Sequence, residues 1–159
     1  METFQSRLFS EATGCETPFV QDNQSFSKHK GTVRGLHYQS PPYAQGKLVR
    51  CSQGSILDVA VDVRKGSKTY GQHVKAILSA ENMGQLWVPV GFLHGFVTLE
   101  ANTIVCYKCT NYYSPIHDGN VSWSDTVLNI DWGLASDEAH LSPKDAMAPS
   151  FDDFDSPFH

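Results

Sequence analysis

The run Ile56-Leu-Asp-Val-Ala-Val-Asp-Val63 alternates between two sets of side chains. The apolar set is Leu57, Val59, Val61 and Val63, and the other set is Asp58, Ala60 and Asp62. Because successive side chains of a β-strand point to opposite faces of its sheet, this alternation predicts a strand rather than a helix. We expect one face of the strand to pack and the other to meet water or a cavity.

Similar short runs recur along the chain, and glycine, proline and asparagine separate them. The candidate strands are Thr32–Gln39, Lys47–Gln53, Ile56–Val63, His73–Leu78, Gln85–Pro89, Gly95–Leu99 and Thr103–Asn111. Short helices are expected at residues 5–13 and near residues 142–148. Residues 150–159 are acidic, aromatic and proline-bearing, which predicts a C-terminal tail or docking arm. The pattern therefore indicates a single all-β domain over residues 1–159, with antiparallel strands in a closed or nearly closed double sheet.

Composition and charge narrow the function classes. The chain has 159 residues, with 17 acidic against 12 basic side chains and a formal net charge of −5. An acidic chain without a Lys/Arg block is a poor partner for nucleic acid or an anionic membrane. The apolar runs are shorter than the roughly 20 residues that a membrane-spanning helix needs. The N-terminus METFQSRLFS lacks an export signal pattern, which favours a cytoplasmic protein.

Four cysteines raise the question of a disulfide or a metal site. They are Cys15, Cys51, Cys106 and Cys109. Without an export signal, a disulfide framework is not expected. The pair Cys106-Tyr-Lys-Cys109 has zinc-clamp or redox spacing, but side chains three apart on a strand point to opposite faces. We therefore interpret these residues as half-buried strand cysteines.

One cluster suits proton abstraction beside a carbonyl group. Strand alternation places His37 and Gln39 on one face, and Lys47 can face them from the next strand. A neutral imidazole can take a C–H proton while a nearby ammonium stabilises the developing enolate oxygen. The alternative is a strand histidine that is held by hydrogen bonds and has no part in chemistry.

Tyr107 and Asp145 each have two interpretations. Tyr107 is a packing residue with a solvated hydroxyl, or it faces a cavity and returns a proton from the side opposite a base. Asp145 follows Ser142 and Pro143 at the third position of a short helix, which is typical of an N-terminal cap. Alternatively, its carboxylate holds the far ring nitrogen of His37 and fixes the tautomer. The residues alone favour the cap.

The segment Pro89-Val-Gly-Phe-Leu-His94 resembles the second motif of the cupin superfamily. Metal-binding cupins complete their site with His-x-His in the first motif, whereas this chain has His37-Tyr38-Gln39 there. A metal site would be short of ligands, so we expect no metal. His94 is then expected to contact a substrate or to support a residue that does.

A longer set of ordered motifs resembles the dTDP-4-dehydrorhamnose 3,5-epimerase family, from about Glu2 to about Pro149. The motifs include Val20-Gln-Asp-Asn23, Arg34-Gly-Leu-His-Tyr-Gln39, Ala44-Gln-Gly-Lys-Leu-Val-Arg50, Gln85-Leu-Trp-Val-Pro89, Gly91-Phe-Leu-His-Gly-Phe96 and Tyr107-Lys-Cys-Thr-Asn-Tyr-Tyr-Ser-Pro115. The resemblance implies a cupin-type double-stranded β-helix, or jelly roll, with short flanking helices. It also implies a cofactor-free homodimer that converts dTDP-4-keto-6-deoxy-D-glucose to dTDP-4-keto-L-rhamnose by inverting C3 and C5, as in surface-polysaccharide biosynthesis.

Residue roles follow from the resemblance by motif position. The catalytic set would be His37 as general base, Asp145 as its partner, Lys47 near the keto oxygen and Tyr107 as the acid. The substrate-binding set would be Arg34, Gln21, Asn23, Glu2, Gln39, His94 and Tyr112. Strict strand alternation, however, sends Arg34 to the face opposite His37.

Other functions stay open at this point. One is epimerisation at C3 or C5 alone, or of another nucleotide-linked 4-keto sugar such as a GDP-linked one. A metal-dependent cupin oxygenase or isomerase is the second, and a non-catalytic sugar-nucleotide-binding cupin is the third. The last is motivated by an Asp-x-Arg-Gly-x-Phe stretch that the family carries ahead of the position of Glu2, whose arginine binds the diphosphate. This sequence does not contain that stretch.

Overall fold

A computed structural model describes residues 2–159 as two antiparallel β-sheets with short helices outside them. The elements are α1 (Ser6–Thr13), β1 (Gln21–Ser27), β2 (Val33–Gln39), β3 (Lys47–Gln53), β4 (Ser55–Asp62), β5 (His73–Ser79), β6 (Gln85–Val88), β7 (Phe92–Thr98), β8 (Thr103–Cys109), β9 (Asp118–Asn120), a 3-10 turn (Ser136–Glu138) and α2 (Pro143–Ala146). The four-stranded sheet has the order β1-β8-β3-β6, and the five-stranded sheet has the order β5-β4-β7-β2-β9.

The predicted all-β double sheet is confirmed, and the seven candidate strands correspond to β2–β8. The strand predicted at Gly95–Leu99 corresponds to β7, which begins earlier, at Phe92. Two strands were not predicted. β1 has the polar sequence QDNQSFS and pairs with β8 along its whole length, from Gln21 opposite Cys109 to Ser27 opposite Thr103. β9 has only three residues, which pair with the end of β2.

Both faces of β4 are largely buried, so of the two expectations for its second face, water or a cavity, water is excluded. Val59, Val61 and Val63 pack in a core on the outer face of the five-stranded sheet, together with Trp123 and Trp132. The opposite face of β4 lies between the sheets, where Ile56 and Ala60 pack with Val49 and Val105 of the four-stranded sheet. Even the two aspartates are buried, with Asp58 0% and Asp62 1% exposed.

Residues 150–159, interpreted from the sequence as a tail or docking arm, pack on the core of this chain. Phe158 is 7% exposed and forms a parallel bridge with Arg64. The Ser156 hydroxyl donates a hydrogen bond to the Val63 carbonyl, and Phe151 and Phe154 pack against the outer core. The segment therefore helps to cover the outer face of the five-stranded sheet.

The two helices are short and lie at opposite ends of the chain. α1 has eight residues and ends at Gly14, whose φ of 69° is in the left-handed region that glycine readily adopts. α2 has four residues and begins after Ser142, whose side chain accepts a hydrogen bond from the Asp145 amide. Within residues 2–159, neither helix has the length and apolar character needed to cross a membrane.

Candidate active site

An irregularity in β2 determines which side chains face the space between the sheets. The pairing of β2 with β7 runs through Arg34 opposite Phe96, and it resumes shifted at His37 opposite His94. Between them, Gly35 has a φ of 120°, and a Cβ added there would lie 2.7 Å from the Gly95 Cα. Only glycine fits this conformation and this close approach without strain.

The irregularity breaks the strict alternation of β2. Val33 and Leu36, three residues apart, both pack in the outer core. Arg34 and His37 can therefore share the other side of the strand, and they line a common groove beside α2. The expectation that Arg34 lies on the face opposite His37 is wrong, because the alternation rule assumes a regular strand.

The four-stranded sheet supplies the facing wall. Its register places Gln21, Cys109 and Lys47 in one cross-strand row, and Asn23 and Tyr107 in the next row. The Gln21 Nε2 donates to the Asn23 Oδ1 at 3.1 Å, and the Asn23 Nδ2 approaches the Cys109 Sγ at 3.6 Å. Gln21 and Asn23 thus point inward, whereas Asp22 and Gln24 are exposed on the other face, so both faces of β1 carry polar side chains.

A cavity of about 380 Å³ lies between these walls. It is lined by Gln21, Asn23, His37, Tyr38, Gln39, Gln45, Lys47, Tyr107, Tyr113, Asp118 and Lys144. The structure therefore brings together six of the residues that sequence analysis singled out, while Asp145 lies directly behind His37. This size is in the range of small-molecule sites.

His37 and Asp145 form a close pair. The His37 Nε2 lies 2.5 Å from the Asp145 Oδ1, and the carboxylate belongs to a residue that is only 5% exposed. The Ser142 hydroxyl donates to the other carboxylate oxygen at 2.8 Å, while the Asp145 amide donates to the Ser142 Oγ at 3.1 Å. Burial raises the pKa of Asp145, but contacts with His37, Ser142 and Lys144 outweigh it and hold the pKa below its ordinary value. Asp145 therefore belongs both to the helix cap and to the histidine pair.

Lys47 and Tyr107 lie in a desolvated part of the cavity. Burial lowers the pKa of Lys47, and no carboxylate within residues 2–159 forms an ion pair with its ammonium. Burial also raises the pKa of Tyr107, so its phenol is neutral and able to donate a proton at neutral pH. The cavity thus holds a base, a cation and a neutral acid.

Five lining residues were not predicted from the sequence: Tyr38, Gln45, Tyr113, Asp118 and Lys144. The Lys144 Nζ lies 2.5 Å from the Asp118 Oδ2, and the Tyr113 hydroxyl donates to the same oxygen at 3.0 Å. This contact joins α2 to β9 beside the His37–Asp145 pair. Lys144 could have been suspected from its position next to Asp145, but Asp118 follows a loop that has no regular pattern.

Four expected substrate contacts are placed elsewhere or are already engaged. His94 is directed at Asp58, with its Nε2 2.7 Å from the Asp58 Oδ1, and lies outside the described cavity lining. Gln39 donates to the carbonyls of Tyr43 and Tyr112 and accepts from the Ser114 amide. Tyr112 and Glu2 are exposed and also lie outside the lining. Gln39 thus lines the cavity with its amide already engaged, whereas His94, Tyr112 and Glu2 lie outside that lining, and their contact with a substrate stays a prediction.

The cysteines are free thiols. Cys109 is buried beside Lys47 in the inner row, whereas Cys106 lies on the outer face near Gln24. Among residues 2–159, no group of three or more His, Cys, Asp or Glu side chains is arranged to hold a metal ion.

In sequence and in structure, the chain is similar to known nucleotide-sugar epimerases. A family model described as dTDP-4-dehydrorhamnose 3,5-epimerase matches residues 1–153. A protein of that name from Salmonella typhimurium is 52% identical over 151 residues, which cover 95% of this chain and 81% of the relative. The crystal structure of dTDP-6-deoxy-D-glucose-3,5-epimerase from Legionella pneumophila in complex with dTDP-4-keto-L-rhamnose has a TM-score of 0.94 at 47% identity, covering 99% of this chain and 84% of that one. The structure of ChmJ, a 3'-monoepimerase from Streptomyces bikiniensis, in complex with dTDP-quinovose has a TM-score of 0.85 at 34% identity, covering 94% of this chain and 74% of that one.

Proposed function

The chain belongs to the dTDP-4-dehydrorhamnose 3,5-epimerase family, and from this premise we propose that its cavity inverts C3 and C5 of dTDP-4-keto-6-deoxy-D-glucose to give dTDP-4-keto-L-rhamnose. The observation that carries the proposal is the arrangement of the proton-transfer groups. The His37–Asp145 pair stands on the five-stranded sheet side, Tyr107 belongs to the four-stranded sheet, and Lys47 lines the same cavity. A sugar ring between the sheets would have a base and an acid on opposite faces.

The proposed chemistry uses the acidity that the 4-keto group confers on its two neighbouring carbons. His37 takes the proton from C3 or C5, and the electron pair of the broken C–H bond moves onto the keto oxygen as an enolate. The Lys47 ammonium stabilises that negative charge. The Tyr107 phenol then donates a proton to the opposite face of the carbon, and the carbonyl re-forms. The keto group itself supplies the acidity, so this route needs no metal or cofactor.

We assign the nucleotide diphosphate to the rim of the cavity. Arg34 has an exposed guanidinium on the same side of β2 as His37, and its Nη2 donates only to the Phe26 carbonyl at 3.2 Å among the described groups. Lys144 adds a second cation, and the Gln21 and Asn23 amides line the wall that leads outward. Charge-assisted contacts from such cations suit a diphosphate.

We propose that the protein forms a homodimer and that it is located in the cytoplasm. β1 is an edge strand of the four-stranded sheet, and its Phe26 is 54% exposed. An exposed aromatic residue on a sheet edge suits an interface with a second copy. Light scattering on the purified protein should give twice the monomer mass of 17.6 kDa, and a monomer mass would reject the dimer.

A single-site epimerase is the second candidate, because the 3'-monoepimerase ChmJ shares this fold at 34% identity. The same base, cation and acid would serve one carbon as well as two. The difference depends on how the ring sits between His37 and Tyr107, since small displacements of reacting atoms change rates strongly.

The deciding experiment is incubation with dTDP-4-keto-6-deoxy-D-glucose in D₂O. Deuterium at both C3 and C5 of an inverted product, measured by mass spectrometry and NMR, supports the double epimerase, and label at one carbon supports the single-site enzyme. Label only with the GDP-linked sugar would indicate another carrier, and binding without label would leave a binding module. His37→Ala should slow exchange by about 10³-fold, whereas His73→Ala, on β5 outside the cavity lining, should keep the rate.

A further inference from the structure

A second histidine–aspartate pair lies in the interior next to the cavity. His94 on β7 is directly opposite His37, and its Nε2 is 2.7 Å from the Oδ1 of Asp58 on β4. The His94 residue is 7% exposed and Asp58 is 0% exposed. The other carboxylate oxygen of Asp58 is buried without a hydrogen-bond partner in the described part of the chain. The proposed reaction assigns no role to His94 or Asp58.

A buried carboxylate with an unpartnered oxygen is costly unless a nearby positive charge offsets it. The His94 Nε2 contacts only one of the two Asp58 oxygens, and no lysine or arginine within residues 2–159 forms an ion pair that offsets the carboxylate charge. This charge lies between the sheets, on the same inner side of the sandwich as Lys47. The Asp58 carboxylate can therefore act as a counter-charge for the Lys47 ammonium.

Lys47 needs a counter-charge if it is to stay an ammonium. Its desolvated position favours the neutral amine, and Lys144 on α2 adds a repulsive charge. The titratable and charged groups near it come from every packed element: His37, His94, Asp58, Asp118, Tyr107, Cys109 and Lys144.

Most of the negative candidates are excluded. Asp118 is already bound to Lys144 at 2.5 Å, so much of its charge is offset. Burial raises the pKa of Cys109 and of Tyr107, so both are neutral at neutral pH. Asp58 lies on its face of β4 between Ile56 and Ala60, which pack with Val49 between the sheets, and Lys47 is the neighbour of Val49 on that face of β3. No lysine or arginine forms an ion pair with Asp58 among residues 2–159. Asp58 is the remaining source of negative charge.

We propose that Asp58 is a positioning residue for Lys47, whose buried carboxylate supplies the counter-charge that keeps the Lys47 ammonium protonated while its Oδ1 holds the His94 ring. The inference rests on the proposed function, in which a protonated Lys47 stabilises the enolate oxygen. Asp58 itself touches no reacting atom in this scheme.

The test is Asp58→Asn, which keeps the shape of the side chain and removes its charge. The alkaline limb of the kcat/KM profile should move to lower pH by about one unit, as expected for losing an opposite charge near a lysine. Competitive labelling of amines with acetic anhydride, quantified at Lys47 by mass spectrometry, should show the same shift without relying on activity. An unmoved limb together with unmoved labelling would overturn the proposal.

Asp62→Asn is the matched control. Asp62 lies four residues after Asp58 on the same face of β4 and is equally buried, but it binds Arg64, Ser67 and Thr69 instead. Its substitution should lower stability and leave both pH profiles in place. A shift of the same size as in Asp58→Asn would mean that any buried change in β4 moves Lys47, and it would overturn the specific role of Asp58.

Two variants keep the proposal testable if Asp58→Asn does not fold. Asp58→Glu and His94→Gln both retain the carboxylate, so both should keep the Lys47 labelling profile at or above its wild-type pH. A downward shift in either variant would contradict the assignment. If the wild-type protein exchanges no deuterium, the proposed function fails, and the labelling result still decides whether Asp58 controls Lys47.

Discussion

Tyr107 and His37 come from different sheets, and their opposition across the cavity is a property that no single residue reveals. The sequence indicated the chemistry of His37 and Lys47 from strand alternation. For Tyr107 it left packing and proton donation open, because which face of a strand meets a cavity depends on the partner sheet. Asp118 and Tyr113 escaped prediction since they lie in and beside an irregular loop. The sequence therefore predicted site residues on regular strands and missed those in or next to the irregular loop.

Replacing Tyr107 with phenylalanine should separate proton loss from proton return. Tyr107→Phe removes the phenol proton and keeps the ring, so His37 can still abstract from carbon. We expect conversion to inverted product to fall by about 10²-fold or more, while washout of deuterium from C3- or C5-labelled substrate persists. NMR of the substrate pool measures both. The control is Tyr112→Phe, at an exposed tyrosine outside the lining, and full conversion by Tyr107→Phe would reject the assignment.

At the scale of the element, α2 combines two functions in four residues. The sequence alone favoured a capping role for Asp145, and the structure shows that the cap and the contact with His37 coexist. The local pattern could predict the cap because it involves neighbours in sequence. It could not predict a contact that spans more than a hundred residues.

Two substitutions should separate these functions. Asp145→Asn keeps the backbone amide that binds Ser142 but removes the charge beside His37, so we expect the rate to fall by roughly 10²- to 10⁴-fold with the fold retained. Ser142→Ala removes the cap and should cost about 1 kcal/mol of unfolding free energy, with a much smaller effect on rate. Steady-state kinetics and urea unfolding measure the two effects. A large rate loss only in Ser142→Ala would reverse this assignment.

Strict strand alternation did not predict the irregularity in β2 between Arg34 and His37. Gly35→Ala should both destabilise the fold and displace His37, because the new Cβ would meet the Gly95 Cα and the His94 carbonyl oxygen at 2.7 Å. We expect a loss of about 2 kcal/mol or more, together with a lower kcat/KM. Gly66→Ala is the control, since Gly66 also has a positive φ, of 81°, but no atom lies within 4 Å of an added Cβ. Equal losses in both variants would show that backbone strain alone matters.

For the whole molecule, the sequence predicted the class of fold and seven strands but not how the layers are completed. β1 is a strand because β8 pairs with it along its length, and its polar residues gave no apolar alternation. The outer core likewise depends on Trp123, Trp132 and Phe158, which come from irregular segments that carry no periodic signal. Long-range pairing and irregular cover are set by the assembled structure, which local patterns do not encode.

Stability at acidic pH should report on the buried cluster around Asp62. Hydrogen bonds from Arg64, Ser67 and Thr69 hold the pKa of Asp62 well below its ordinary value. A lowered carboxyl pKa stabilises the native state above the unfolded-state pKa and loses that contribution as pH falls. Asp62→Asn should therefore cost about 2 kcal/mol at pH 7, and the difference from wild type should shrink below about pH 4. Urea unfolding at pH 7, 5 and 3 tests this, and a constant difference would refute it.

The burial of Phe158 bears on how the chain is made. β4 emerges from the ribosome long before Phe158, Ser156 and Phe154, which cover the valine-rich outer face of its sheet. During synthesis that face waits uncovered, and exposed apolar strands in a nascent chain favour aggregation or capture by chaperones. These residues are translated after β4 and help to cover its outer face, so synthesis that stops before them would release a formed sheet with an exposed apolar face.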